Sequence, residues 1–252
     1  MIVVVGDIHG NKFNLMSVLS YLIPLTSKDI VILAGDVGIL YGGNKMGSLL
    51  HYMVSQPCKF IVLRGNHDDR YWKSYQERGE SFIVEDMFGT QLAHQKKYPN
   101  VYYVKDEGDI LTIDDKRFLM IPGAFSVDGE YRKARGLPYC EDEQLTYQEM
   151  DNLLGRIADE GPIDYVVSHT CPLSWQGQLQ YLFLDFLDQS KIDKTMDKFL
   201  DAVNDALPEY KMWLFGHFHD DKKIEGTNAY MLYTSPFVIE TQEEKGEIQD
   251  AG

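Results

Sequence analysis

Three short apolar runs punctuate the first quarter of the chain: Ile2-Val3-Val4-Val5, DIVILA from Asp29 to Ala34, and CKFIVL from Cys58 to Leu63. Runs of this length without polar alternation read as strands buried on both faces. Between the first two, Phe13, Leu15, Met16, Leu19, Tyr21 and Leu22 recur at roughly helical spacing, which predicts a helix over about 11–22, ended by Pro24. A glycine-rich loop and a helix over about 44–55 precede the third run. The order β-α-β-α-β predicts an α/β fold with a parallel sheet covered on both faces.

Further along, Asp69 to Arg78 has helical spacing and carries Tyr71, Trp72 and Tyr75, which suit either core packing or a wall over a site. Val101 to Val104, Asp109 to Ile113 and Arg117 to Ile121 read as strands of a second sheet. A polar loop over 127–139, with Arg132, Lys133 and Arg135, separates them from an amphipathic helix over about 143–159. Asp164 to Val167 and Met212 to Phe215 are two more buried strands. Between these lie an apolar, aromatic stretch from Leu179 to Leu187 and a helix over about 191–206, opened by Ser190 and Asp193. Two strands, about 222–226 and 229–234, close the pattern. No composition break marks a linker, so 1–239 is expected to be one domain, followed by an acidic, flexible tail over 240–252.

The ends of the strands change the picture. Five of them run straight into polar residues: Gly6-Asp7-Ile8-His9, Gly35-Asp36, Gly65-Asn66-His67-Asp68, Ser168-His169 and Gly216-His217-Phe218-His219. In open α/β sheets ligands bind at the carboxyl ends of strands. Of the seven histidines, five lie at these ends; His51 and His94 do not. Asp7, His9, Asp36, Asn66, His169, His217 and His219 are therefore candidate metal ligands. Oxygen and nitrogen donors without thiolate suit Mn²⁺, Fe, Zn²⁺, Ni²⁺ or Co²⁺ more than a structural cysteine-type zinc site. Seven donors are too many for one such ion, and two ions sharing a carboxylate fit the count.

Composition narrows the partners. The 252 residues carry a formal net charge of −15. Phosphate backbones repel such a chain, so nucleic acid is a poor partner. A small phosphorylated substrate would need a local positive centre, which bound metal supplies. Arg132 is a further candidate contact for phosphate. Cys58, Cys140 and Cys171 are scattered and odd in number, which fits a reducing cytoplasm better than a disulfide framework. No signal peptide or apolar run long enough to span a membrane is recognised.

The ordered set GDIHG (6–10), GDVG (35–38), GNHD (65–68), SHT (168–170) and GHFH (216–219) resembles the calcineurin-like metallophosphoesterases, and the likeness runs from residue 6 to 219. It implies a four-layer α/β/β/α sandwich with a dinuclear metal site, most often Mn²⁺. Position by position, it implies that Asp7, His9 and His219 hold one ion, that Asn66, His169 and His217 hold the other, and that Asp36 bridges them. It makes His67 a catalytic histidine that is not a ligand, oriented by Asp68. Two such ions share an activated hydroxide that attacks the phosphoryl group. The chain lacks the GDxVDRG and GNHE forms of the Ser/Thr protein phosphatases, so the pattern is closer to the small bacterial and phage-type enzymes. The expected substrate is a small phosphomonoester or phosphodiester, such as a nucleotide, ahead of a phosphoprotein and then nucleic acid. A protein phosphatase and a catalytically silent scaffold on the same fold are the alternatives.

Overall fold

The structure, a computed structural model, describes residues 1–22, 24–39, 46–79, 82–182 and 189–241. The three apolar runs form β1 (Ile2–Val5), β2 (Ile30–Ala34) and β3 (Lys59–Leu63), paired in parallel. Successive side chains of a strand point to opposite faces, and here the two sets part cleanly. Val3, Val5, Val31, Leu33, Phe60 and Val62 pack in one cluster with Leu15 and Leu19 of α1 (Lys12–Leu19), Leu49 and Met53 of α2 (Met46–Ser55), and Tyr71 and Tyr75 of α3 (Tyr71–Arg78). Ile2, Val4, Ile30, Ile32, Ala34, Ile61 and Leu63 face a second sheet.

The first sheet continues through β4 (Phe82–Met87), β5 (Thr90–Gln95) and β6 (Val101–Tyr103). The second holds β7 (Asp109–Ile113), β8 (Lys116–Ile121), β9 (Tyr165–Ser168), β10 (Met212–Phe215), β11 (Lys222–Ile224) and β12 (Ala229–Met231). Its inner face gives Leu111, Phe118, Met120, Val167 and Leu214 to the shared core. Its outer face packs Leu119, Ile121, Val166, Trp213 and Phe215 with residues of α5 (Tyr147–Asp159) and α6 (Thr195–Ala206). The result is four layers, α/β/β/α.

Several expectations change. Residues 101–103 belong to the first sheet, not the second. β6 lies parallel to β3, with Phe60 N–H donating to Asn100 O and Val104 N–H to Val62 O. An apolar run fits either sheet, and only these pairings choose between them. The hairpin β4–β5 turns at Phe88-Gly89, both at positive φ. A final strand, β13 (Phe237–Ile239), returns to pair antiparallel with β1. The polar loop over 127–139 contains a short helix, α4 (Gly129–Arg135). In α1 the core face is Leu15, Val18 and Leu19, while Phe13 is 65% exposed. The aromatic residues of α3 are core: the rings of Tyr71 and Tyr75 lie 4.7 and 5.3 Å from that of Tyr103. Most of the stretch 179–187, and residues 242–252 of the tail, lie outside the described residues. Among the described residues, no helix is long and apolar enough to cross a membrane.

Candidate metal centre

β1, β2 and β3 run in parallel, as do β8, β9 and β10, so their carboxyl ends open along one edge where the two sheets meet. The backbone there is unusual. His9, Asp36, His217 and His219 have φ of 52°, 48°, 71° and 56°, the left-handed region that non-glycine residues rarely occupy. Strain of this kind persists only where surrounding structure enforces it, and it collects at functional sites. Two glycines make the close approach possible. A Cβ at Gly65 would stand 2.1 Å from Asp36 Oδ1, and one at Gly216 would stand 2.2 Å from Asp7 Oδ1. Gly65→Ala is expected to cost about 1–3 kcal/mol through overpacking. Thermal unfolding would show it, and an unchanged midpoint would refute the contact.

All seven expected ligands converge. On one side, Asp7 Oδ2 is buried, 3.1 Å from His219 Nε2 and 3.5 Å from His9 Nε2, without hydrogen-bond geometry to either. The two ring nitrogens are 2.8 Å apart. A bare carboxylate oxygen facing two imidazole nitrogens is the donor set of a cation site. On the other side, Asn66 Oδ1 lies 2.8 Å from His169 Nε2 and 3.0 Å from His217 Nδ1. His169 Nδ1 faces the Ala34 carbonyl at 2.9 Å. A neutral ring with its proton held there would turn the Nε2 lone pair into the site. Asp36 stands between the two sides, with Oδ1 3.4 Å from His169 Nε2 and Oδ2 4.0 Å from His9 Nδ1. Asp7, His9 and His219 form one close donor group, and Asp7, Asp36 and His169 form another. These residues fit divalent metal.

The electrostatics agree. Burial opposes ionisation of Asp7, yet the His219 and His9 rings hold its carboxyl far below the ordinary range. Burial likewise opposes ionisation of Asp36, and His169 overcomes it. Burial works against a charge on His169, but Asp36 beside it raises its pKa to about 9. His217 falls to about 3, through burial and the neighbouring His169. Two ionised carboxylates in the protein interior demand a counter-charge, and a proton on His169 supplies part of it here. A bound cation would replace that proton.

His67 places Nε2 4.0 Å from Asp36 Oδ2, the same distance as His9 Nδ1, and 3.5 Å from Arg132 Nη2. Burial lowers its pKa, Asp36 opposes the shift, and Arg132 adds to it. Arg132 is also held by Asp128, at 2.6 Å. Lys133 and Arg135, the other cations of the stretch, lie over the Tyr139 and Tyr131 rings instead. Asp68, expected to orient His67, also has a task in the backbone. Its carboxylate accepts the N–H groups of Val37, Gly38 and Gly65, tying the second strand-end loop to the third. Ser126 escaped the sequence reading. Its hydroxyl accepts from Asn66 Nδ2 at 2.7 Å, and its own N–H donates to buried Glu143 at 2.9 Å. The signal was present, since Pro-Gly-Ala-Phe-Ser follows β8 at another strand end.

Two packed sheets flanked by helices, with carboxylates and imidazoles gathered at their strand ends, define a metallohydrolase. The model of the family described as calcineurin-like phosphoesterase matches residues 1–221. The chain belongs to that family, and it is a metal-dependent phosphoester hydrolase. Among solved structures, the phosphopantetheinyl hydrolase from Mycobacterium tuberculosis is similar, with a TM-score of 0.53 and 13% identity over 98% of this chain and 91% of that one. Identity that low speaks for the fold alone. A protein of unknown function from Aquifex aeolicus matches with a TM-score of 0.36 and 16% identity, over 68% of this chain and 80% of that one. A search of curated proteins found no match.

Proposed function

We propose that this chain hydrolyses a small phosphomonoester or phosphodiester with two divalent ions, Mn²⁺ being the best suited. One observation carries the reading: Asp36 presents one carboxylate oxygen to each of two imidazole groups. Asp7, His9 and His219 would hold one ion, Asn66, His169 and His217 the other, and Asp36 both. Ions bound there supply Lewis-acid activation of water and stabilise charge on the phosphoryl oxygens. The remaining chemistry belongs to the chain. Arg132 meets the incoming anion and neutralises part of its charge. His67, next to Arg132, serves the leaving oxygen; the negative charge of a phosphate beside it favours the protonated ring that burial disfavours. A pocket of about 300 Å³ opens beside these groups, lined by Asp36, Asn66, His67, His217 and His219 at one end. That size suits a small molecule rather than a folded phosphoprotein segment.

The test compares p-nitrophenyl phosphate with bis-p-nitrophenyl phosphate, each with and without Mn²⁺. Mn²⁺-dependent turnover is expected, and the preferred compound sorts monoesterase from diesterase. No turnover of either would favour a silent scaffold. A second expectation concerns Ser126. Without its hydroxyl the Asn66 amide loses the partner that keeps Oδ1 toward His169 and His217. Ser126→Ala should weaken metal retention at that side by about 10–100-fold, the usual cost of losing a group that orients a ligand. Chelator competition would measure it, and unchanged retention would contradict the role.

A further inference from the structure

The pocket beside the metal centre has a second polar end. Thr170, Gln176, Lys194 and Asp197 line it there, with Phe125 and Phe218 among the apolar side chains along its length. We infer that this end binds the leaving group of the substrate, and that the group is polyhydroxylated and about the size of one sugar ring. The inference rests on the phosphoester reading above.

The four polar residues come from separate parts of the fold. Thr170 directly follows the ligand candidate His169, and Gln176 lies in the helical turns Leu173–Leu182. Lys194 and Asp197 open α6. Lys194 Nζ donates to Gln176 Oε1 at 3.0 Å and lies 3.8 Å from Asp197 Oδ2. Thr170 Oγ1 donates to Asp197 Oδ1 at 3.4 Å. Thr170, Gln176 and Asp197 are all buried. Burial also pushes the Asp197 carboxyl upward.

The chemistry of this wall excludes most leaving groups. Lys194 and Asp197 lie 3.8 Å apart, so a charged leaving group of either sign would meet one attractive and one repulsive charge, with no net preference for it. A purely apolar group would gain no hydrogen bond from these side chains, whose polar atoms are joined to one another. A hydroxyl is donor and acceptor at once. Several hydroxyls can therefore engage ammonium, amide, hydroxyl and carboxylate together. Phe125 and Phe218 give apolar surface for the C–H face of a ring. A volume near 300 Å³ leaves room for a phosphoryl group and one ring.

The experiment compares ribose 5-phosphate with pentyl phosphate on Mn²⁺-loaded protein. Both release a primary alkoxide, so the bond broken is the same and only the hydroxyls differ. Wild type should prefer ribose 5-phosphate by about tenfold or more in kcat/KM, the scale of a hydrogen bond or two. Lys194→Met removes a donor from a partly exposed position, so folding is little disturbed. Gln176→Met removes the neighbouring amide. Each should cut the preference to about threefold or less, mainly through KM. Equal wild-type turnover of the two esters would overturn the inference and leave the proposed function standing. A preference that survives in both variants would overturn the assignment to this wall. Turnover of p-nitrophenyl phosphate with none of either alkyl ester would also overturn it. No turnover of p-nitrophenyl phosphate would bring down the phosphoester reading, and this inference with it.

Discussion

Asp36→Asn should lower kcat/KM by about 10³-fold or more and leave less than one ion bound per chain. The amide keeps an oxygen for the His67 N–H, which donates to Asp36 Oδ1 at 2.9 Å, so the loop should hold its shape. What is lost is the charge and one of the two oxygens that face the imidazole groups. Metal-derived stabilisation is worth several kcal/mol, and about 1.4 kcal/mol is tenfold in rate. His219→Ala is the control. His219 is half exposed and faces Asp7 alone of the two carboxylates, so its loss should leave the second ion in place. Asp7 is the competitor for the shared role, because it stands in both donor groups. Its Oδ1 accepts the His217 N–H at 2.8 Å, as Asp36 Oδ1 accepts the His67 N–H at 2.9 Å, so these hydrogen bonds do not choose between the two carboxylates. Metal content of Asp36→Asn decides the matter. Two ions at full occupancy would transfer the bridge to Asp7.

His67→Ala should keep its metal and lose activity in proportion to how poorly the leaving group departs. A positioned general acid contributes about 10²–10⁴-fold. Nitrophenolate leaves readily without a proton, whereas an alkoxide does not. On p-nitrophenyl phosphate the variant should retain much of its activity, and on an alkyl phosphate it should lose about 10²-fold or more. His67 lies as far from Asp36 Oδ2 as His9 does, at 4.0 Å, and what sets it apart from the ligands is the Arg132 guanidinium beside it. Arg132 lies closer. Equal losses on both esters would mean that His67 stabilises charge on the phosphoryl oxygens. Loss of metal would make it a ligand.

Much of this site was legible in the sequence, because each donor follows an apolar strand directly. A run such as Ile2 to Val5 fixes a strand, the glycine after it ends the strand, and the parallel connection puts every such end on one edge. The seven donors could therefore be named before their distances were known. The fold was less legible where choice of partner decides. Nothing in Val101-Tyr102-Tyr103 says which sheet it joins, and the pairing with β3 does. The return of Phe237 to Ile239 beside β1 is equally silent, since that short run carries no trace of a partner far away in sequence. Side-chain roles were hardest to read. Asp68 stands in a catalytic motif, yet its hydrogen bonds go to backbone N–H groups of two loops. Ser126 and the polar end of the pocket come from loops whose approach to the site depends on the tertiary fold.

The central claim is that two divalent ions, held by these seven residues, carry the hydrolysis. Elemental analysis of purified protein, paired with activity before and after chelation, tests it most directly. Purified protein should hold up to two transition-metal ions per chain, lose phosphoesterase activity with EDTA, and regain it when Mn²⁺ is restored. Protein that holds no metal, and whose activity is indifferent to chelator, would contradict it.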